Sequence, residues 1–155
     1  MAKHDKGLRK NSANYTCLSP ISFLSRASEV YPNRVAVIDG DISENWSEVY
    51  RKSCGLATAL RNVGVEVGDT VAVMAPNTAE MYHCHFGVPM SGAVLNALNT
   101  RLDPASIAFM LCHGDAKVLL VDGEFSNVLP VVFVSLVSSS YYEFSISFQL
   151  STTDK

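Results

Sequence analysis

The spacing of apolar residues predicts a helix, a hairpin and a second helix in the first part of the chain. Residues 23, 24, 27 and 30 are apolar, as on one face of a short amphipathic helix that follows Ser22. Tyr31-Pro32-Asn33 ends this helix, because the residue before a proline is pushed out of the helical region. Residues 34–39 alternate like a strand, Gly40-Asp41 is a turn signal, and residues 45–47 predict the returning strand. Ser47 is also a candidate N-cap of a long helix that reaches about Val63 and closes at Gly64.

From Asp69 the pattern alternates between buried strands and helices. Residues 70–75 form an apolar run typical of a strand that is buried on both faces. Pro76-Asn77-Thr78 breaks this run and caps a helix to about residue 90, and residues 93–98 are the next strand. Asp103-Pro104 begins another helix, which ends near residues 113–114, and residues 117–122 are again an apolar strand. The order predicts an α/β fold: a small β-hairpin plus a right-handed βαβαβ parallel sheet.

After Phe125 the pattern becomes irregular. Residues 126–153 contain eight serines and one charged residue. The alternation in residues 145–151 fits one strand, but the segment lacks a clear turn, cap or helical stripe. We therefore predict three parts: a flexible arm over residues 1–13, a folded part over 14–125, and an unrelated low-charge tail over 126–155, which is irregular and prone to aggregation when exposed.

The charge distribution excludes a polyanion-binding protein as the default interpretation. The 155 residues carry a formal net charge of −3, with 12 basic and 15 acidic side chains. The first ten residues hold four basic side chains and one acidic one, so the folded part is acidic and has no dominant basic face. An apolar fraction of 48% excludes a fully disordered chain.

Compartment signals point to the cytoplasm. The longest apolar run, residues 128–137, is about half the length of a membrane helix, and no apolar segment follows the N-terminal basic residues. The four cysteines have no CxxC spacing, which favours reduced, mostly buried thiols. These residues are Cys17, Cys54, Cys84 and Cys112. The sequence predicts no nucleic-acid partner and no membrane span.

Histidines and cysteines are the first candidates for chemistry. Since a helix advances about 100° per residue, His83 and His85 point about 200° apart, and we expect one to be buried and one exposed. Adding Cys112-His113 does not produce a zinc pattern, so no metal ligand is assigned. Cys84 with His113 has no orienting third group that sequence identifies, so no nucleophilic pair is assigned.

Aspartates and glycines are the second set of candidates. Three aspartates stand at strand ends, where α/β enzymes place catalytic groups, although turns and caps are commoner duties there. They are Asp69, Asp115 and Asp122. The nine glycines are scattered; no GxxxxGK[ST] run, GxGxxG fingerprint or Ser/Thr/Gly-rich loop with a lysine is present, so no phosphate site is predicted.

Several segments nevertheless resemble one family closely. They are residues 14–15 and 18–24, Ala75-Pro76-Asn77, residues 85–96 (HFGVPMSGAVLN), 99–103 (NTRLD) and 117–125 (KVLLVDGEF). Together they resemble the N-terminal portion of the plant-type acyl-activating enzymes, which are AMP-forming acyl-CoA ligases of the adenylate-forming superfamily, similar to butyrate, benzoate and cinnamate ligases. The resemblance covers residues 14–125 without an evident gap.

The resemblance implies chemistry that these residues do not themselves carry. The family joins a carboxylic acid to the α-phosphate of ATP, giving an acyl adenylate, and coenzyme A then displaces AMP. ATP, Mg and coenzyme A are thus implied for the full-length family, in fatty acid metabolism among other roles. The family's ATP loop and catalytic lysine lie downstream, so no catalytic, cofactor-binding or metal residue is carried over. The resemblance therefore indicates a truncated ligase that is inactive by itself, without the peroxisomal SKL-like ending of many relatives.

Two other interpretations remain open. One is a non-catalytic truncated isoform that binds and modulates a full-length ligase, since half a sheet would leave an unpaired edge and an uncovered apolar face. The other is an unrelated enzyme on the bare α/β fold, which rests on fold analogy alone. As a fragment of the ligase fold, the chain would lack a covering layer coded downstream, which predicts a marginal, aggregation-prone monomer.

Overall fold

The computed structural model describes residues 15, 17–138 and 148–150 of the chain. Within them the predicted order of helix, hairpin, helix and alternating strands and helices is confirmed. The helices are α1 (Pro20–Val30), α2 (Trp46–Asn62), α3 (Ala79–Ser91), α4 (Pro104–His113) and α5 (Leu129–Ser138). The strands are β1 (Val35–Asp39), β2 (Ile42–Asn45), β3 (Thr70–Met74), β4 (Val94–Ala97), β5 (Ala116–Asp122) and β6 (Phe148–Leu150).

The first two helices begin earlier than predicted, because side chains further upstream cap them. Ser19 caps α1 and exchanges hydrogen bonds with Ser22, so Ser22 lies inside the first turn. Asn45 caps α2 and exchanges hydrogen bonds with Glu48 in the same way. The prediction that Ser47 is the N-cap is wrong, since this reciprocal pair satisfies two free backbone N–H groups and a serine alone satisfies one.

The second part of the chain forms a parallel sheet, as predicted. The strand order is β4-β3-β5-β6, and each neighbouring pair is parallel. The alternation that fits one strand within residues 145–151 coincides with β6, which pairs with β5 from Phe148 to Leu150. The chain passes from β3 to β4 in one direction and then from β4 across β3 to β5 in the opposite direction. With right-handed crossovers, this change of direction places α3 and α4 on opposite faces.

Each face of the sheet has its own hydrophobic cluster. Val71 and Val73 pack with α2 and α3 on one side, whereas Ala72 and Met74 pack with α4 and α5 on the other. All four of these residues are buried. The expectation of an uncovered apolar face is therefore wrong for the sheet's centre: both layers are built from this chain. An unpaired edge remains, since among the described strands β4 pairs only with β3.

Helix α5 is the main departure from the predicted secondary structure. A short 3₁₀ helix, Gly123–Val128, leads from β5 into α5. Val132 of α5 is fully buried in the same cluster as Ile107 and Leu111 of α4. The prediction of an irregular segment is wrong here because α5 is apolar almost all round, so it has no stripe that periodicity could detect. The arm predicted over residues 1–13 lies outside the described residues, as do residues 139–147 and 151–155.

Candidate functional site

A groove runs between the hairpin and the start of α3. Its volume is about 440 Å³. One wall is four consecutive residues of β1, and the other is the loop after β3 with the first turns of α3. The lining residues are Ala36, Val37, Ile38, Asp39, Asn77, Thr78, Ala79, Met81, Tyr82 and His85. The groove is thus mostly apolar along its length, with polar groups at the α3 side and Asp39 on the β1 wall.

Asp39 fixes the hairpin against α3. Its Oδ2 accepts a hydrogen bond from the Ala79 backbone N–H at 2.9 Å, and Thr78 Oγ1 accepts one from Met81 at 3.4 Å. A carboxylate at this position also suits the positive end of the helix dipole. The N-terminus of α3 is therefore already occupied by an anion from this chain, so the groove does not offer it to an anionic ligand.

Two further side chains in the groove have defined hydrogen-bonding roles. His85 Nδ1 lies 2.8 Å from the Met81 carbonyl oxygen. Because a carbonyl only accepts, Nδ1 carries a proton and donates it to this hydrogen bond. Burial raises the pKa of Tyr82, so its phenol keeps its proton at neutral pH. The groove therefore offers acceptors and a phenol, but no activated nucleophile.

A buried ionic cluster joins three elements of the fold. Glu44 of β2 is 4% exposed, and its two carboxylate oxygens lie 2.5 Å from Lys52 Nζ and 2.6 Å from His83 Nε2. Burial alone would raise the pKa of Glu44, but hydrogen bonds and charge from Lys52 and His83 hold that pKa below its ordinary value. The cluster connects β2 to α2 and α3, which is a structural task.

The histidines and cysteines are not brought together. His83 is buried and His85 is exposed, which confirms the helical prediction. Cys84 lies in the α2–α3 cluster, whereas His113 is exposed at the end of α4 on the other face of the sheet. Burial, with a smaller contribution from the charge of Glu80, raises the pKa of Cys84 to about 11. In the part of the chain described, no three His, Cys, Asp or Glu side chains form a metal-binding group.

The three aspartates have turn and capping roles, as the sequence favoured. Asp122 is the only one at the carboxyl end of a strand, and it accepts a hydrogen bond from Glu124 N–H at 2.9 Å. Asp69 and Asp115 precede β3 and β5 and so lie at the opposite edge. Asp69 accepts from Glu66 N–H at 2.8 Å, and Asp115 has a left-handed backbone with φ of 47°.

The loops at the carboxyl ends of the strands do not fit a nucleotide triphosphate. Residues 75–78 after β3 and residues 98–103 after β4 contain no glycine, and β5 is followed by the single Gly123. A phosphate cradle needs several backbone N–H groups at close approach, which glycine-rich loops supply. These residues therefore do not form the family's ATP loop, and we derive no reaction step from them.

The sequence did not predict the groove, because its two walls lie far apart along the chain. Its two walls are about forty residues apart, and neither carries a motif; the 40-residue separation of Asp39 and Ala79 is visible only in the fold. Glu44 and His83 are similarly 39 residues apart. Among the described residues, no helix has the length and apolar character needed to cross a membrane.

Comparison with known proteins gives a consistent result. Residues 24–144 match the sequence profile of a family described as AMP-binding enzyme. The match extends beyond Phe125, into the segment that contains α5. It covers most of the chain.

Similar curated proteins are plant CoA ligases. The chain is 44% identical to acetate–CoA ligase CCL3 of Humulus lupulus over 138 residues, which is 88% of this chain and 24% of that protein. It is 47% identical to the peroxisomal butyrate–CoA ligase AAE11 of Arabidopsis thaliana, over 77% of this chain and 21% of that one. The peroxisomal benzoate–CoA ligase of the same plant is 49% identical, over 79% of this chain and 24% of that protein. The chain thus spans about a quarter of the length of these relatives.

Solved structures show the same similarity in three dimensions. An anthranilate CoA ligase, AuaEII, in complex with anthranoyl-AMP superposes with a TM-score of 0.72 at 27% identity, over 75% of this chain and 22% of that one. A benzoate CoA ligase from Burkholderia xenovorans superposes with a TM-score of 0.71 at 25% identity, over 74% of this chain and 24% of that one.

Proposed function

The chain belongs to the AMP-binding enzyme family, among its acyl-CoA ligases, and we propose that it forms the N-terminal hairpin and parallel-sheet layer of such a ligase. The observation that carries the proposal is the match over residues 24–144 to that family, together with 44–49% identity to three plant CoA ligases. The ligase would activate a carboxylic acid through an acyl adenylate and transfer the acyl group to coenzyme A. ATP, Mg and coenzyme A would be bound by parts of such a ligase other than these residues.

These 155 residues do not catalyse that reaction by themselves. The support is chemical: the strand-end loops of the described sheet lack a phosphate cradle, and Asp39 already occupies the N-terminus of α3. Without groups that hold the phosphates and neutralise their charge, the described residues have no means to stabilise transfer of the adenylyl group from ATP to the acid.

The test is thioester formation by the purified chain. Acetate, butyrate, benzoate and cinnamate are each supplied with ATP, Mg and coenzyme A, and the Arabidopsis butyrate–CoA ligase serves as the positive control. We expect no acyl-CoA above background from the chain. Acyl-CoA that depends on both ATP and the chain would refute the proposal of inactivity.

The second candidate function is that of a non-catalytic subunit that binds a full-length ligase and modulates it. What favours it is the unpaired edge of β4, with Val94 55% exposed, because an open strand edge is a surface for pairing. Tagged chain is mixed with the full-length butyrate–CoA ligase. Recovery of the ligase with the tag, and a change in its rate, would support this role; free ligase at an unchanged rate would exclude it.

We keep the cytoplasm as the proposed location, although two of the relatives are named peroxisomal. Fluorescence of an N-terminally tagged chain in plant cells tests this. Diffuse signal is expected, and coincidence with a peroxisomal marker would contradict it.

A further inference from the structure

The outer edge of β4 is an open strand edge without the features that usually protect one. Among the described residues, β4 pairs only with β3, and the register runs without a bulge from Val94 to Ala97. The strand, VLNA, contains no charged side chain and no proline, and both of its end residues are exposed. Charges, prolines and bulges normally block an edge strand, because an unprotected edge pairs with another strand.

Backbone hydrogen bonds show which groups of β4 point to the open edge. The N–H groups of Val94 and Leu98 donate to carbonyl oxygens on the β3 side, both at 2.8 Å. In a parallel strand, residues that bond to one side alternate with residues that bond to the other. The N–H and C=O groups of Leu95 and Ala97 therefore point outward, away from β3.

The side chains of β4 are already committed to the two faces of the sheet. Leu95 packs against the cluster formed with α2 and α3. Asn96 lies on the opposite face near the end of α4, where its Nδ2 is 2.9 Å from the place that a Cβ of Gly114 would take. The edge thus offers main-chain groups and no side-chain pocket, so the partner that fits it is another strand.

Two copies of β4 are complementary to each other across a two-fold axis perpendicular to the sheet. Such an axis makes the two edges antiparallel and keeps both copies of α3 on the same face. With Asn96 opposite its own copy, Leu95 lies opposite Ala97 of the second copy, and each such pair exchanges both of its hydrogen bonds. In the neighbouring registers Asn96 would face Val94 or Leu98, which are apolar, whereas an amide opposite an amide can donate and accept.

We propose that the β4 edge is the interface of a two-fold dimer of this chain, in which two parallel sheets join through antiparallel β4 strands. The chain carries a net charge of −3, and contact through an uncharged strand brings little like-charge repulsion. The inference does not rest on the proposed function. Because the dimer uses the β4 edge, it excludes the complex with a full-length ligase that is the second candidate function.

The first test is the mass of the purified chain in sedimentation velocity over a roughly hundredfold range of concentration. We expect the 16.8 kDa monomer to convert to a dimer as the concentration rises. A monomer at every concentration, or open-ended growth beyond the dimer, would overturn the inference. Recovery of full-length ligase on a chain that is itself monomeric would assign the edge to that partner instead.

A disulfide at the two-fold axis tests the register. Facing residues of a non-hydrogen-bonded antiparallel pair have Cα atoms about 4.5 Å apart, which a disulfide can span. Asn96→Cys in a Cys17→Ser background should therefore give a covalent dimer when oxidised glutathione accepts the electrons and protons of the two thiols. Ile38→Cys is the matched control, because Ile38 is 76% exposed on β1 and should not be cross-linked. Equal yields of covalent dimer from both variants would contradict the register.

A proline at the edge tests the main-chain pairing. Ala97→Pro removes one outward N–H from each copy and leaves the bonds to β3, because proline is tolerated where the N–H points away from the sheet. We expect the dissociation constant of the dimer to rise roughly tenfold or more, and Ala97→Ser, which keeps the N–H, to change it less than about twofold. Far-UV circular dichroism checks that both variants are folded. A folded Ala97→Pro variant that dimerises as well as Ala97→Ser would refute the pairing.

Discussion

The Glu44 carboxylate shows how one residue can connect elements that are distant in sequence. It is buried, and both of its oxygens have cationic or N–H partners, Lys52 and His83. Lys52 is 43% exposed and so contributes less, whereas His83 is as deeply buried as the carboxylate. Loss of Glu44 would leave the His83 ring buried without its partner.

We expect Glu44→Gln to lower the free energy of unfolding by about 1–3 kcal/mol at pH 7, because a buried charge-assisted hydrogen bond is replaced by a neutral one. Lys52→Gln is the control and should cost less than about 1 kcal/mol. Urea unfolding of the three proteins measures both differences. An equal cost for the two variants would show that His83 contributes nothing.

The same residue predicts a dependence on pH. The pKa of Glu44 is lower in the folded chain than its ordinary value of 4.5, so the unfolded chain binds the proton first. The stabilisation is therefore complete above about pH 4.5 and is lost as pH falls through the lower, folded-state pKa. The difference between the original chain and Glu44→Gln should shrink from pH 6 to pH 3. A constant difference over that range would refute this assignment.

Cysteine reactivity is predicted to differ sharply between two positions. Cys84 is fully buried with a pKa of about 11, whereas Cys17 is exposed. Since the thiolate is the reactive form, iodoacetamide at pH 8 should alkylate Cys17 within minutes and Cys84 only after denaturant is added. Peptide mass spectrometry of the alkylated chain reads both sites. Similar labelling of both sites under native conditions would contradict the buried position of α3.

At the scale of elements, the contact between α2 and α3 depends on a missing side chain. A Cβ on Gly87 would lie 2.8 Å from Leu56 Cδ2 and 2.9 Å from the Ser53 carbonyl oxygen. The backbone oxygen cannot move aside without shifting α2, so the two helices approach closely only because residue 87 is glycine. This explains why the HFGV segment tolerates a helix-weakening residue in a buried helix.

Gly87→Ala should therefore lower the free energy of unfolding by about 1–3 kcal/mol through overpacking. Gly55→Ala is the matched control in α2, because a Cβ there meets nothing within 4 Å. That change should stabilise the chain by about 0.5–1 kcal/mol through helix propensity. Thermal unfolding compares the two. Changes of the same sign would show that α2 and α3 do not pack at Gly87.

The sequence predicts elements with local signals and misses those that depend on distant contacts. The strands of the parallel sheet and the Asp103-Pro104 start of α4 follow from apolar runs and a cap, and they are confirmed. Helix α5 was missed because its apolar surface has no period, and the α2 cap was misplaced because Asn45 acts through Glu48. The β1–α3 groove and the Glu44–His83 contact join residues about forty positions apart, which no local pattern indicates.

At the scale of the whole molecule, the chain carries two covering layers around β3, and among the described residues the outer edges of β1, β2, β4 and β6 remain open. Helices α2 and α3 bury one face of β3, and α4 and α5 bury the other. The sequence predicted a marginal fold because it assumed that one of these layers is missing, and that reason does not apply. Among the described residues, the strand-end loops lack a phosphate cradle, and the proposal that the chain does not catalyse the reaction by itself rests on that.

The most direct test of this account is the first half-reaction, measured as exchange of labelled pyrophosphate into ATP by the purified 155-residue chain. Each carboxylic acid is supplied with ATP and Mg but without coenzyme A, so adenylate formation alone gives a signal. The account predicts exchange at the level of the acid-free control for every acid. Exchange that rises with acid concentration and is proportional to the amount of chain would contradict it.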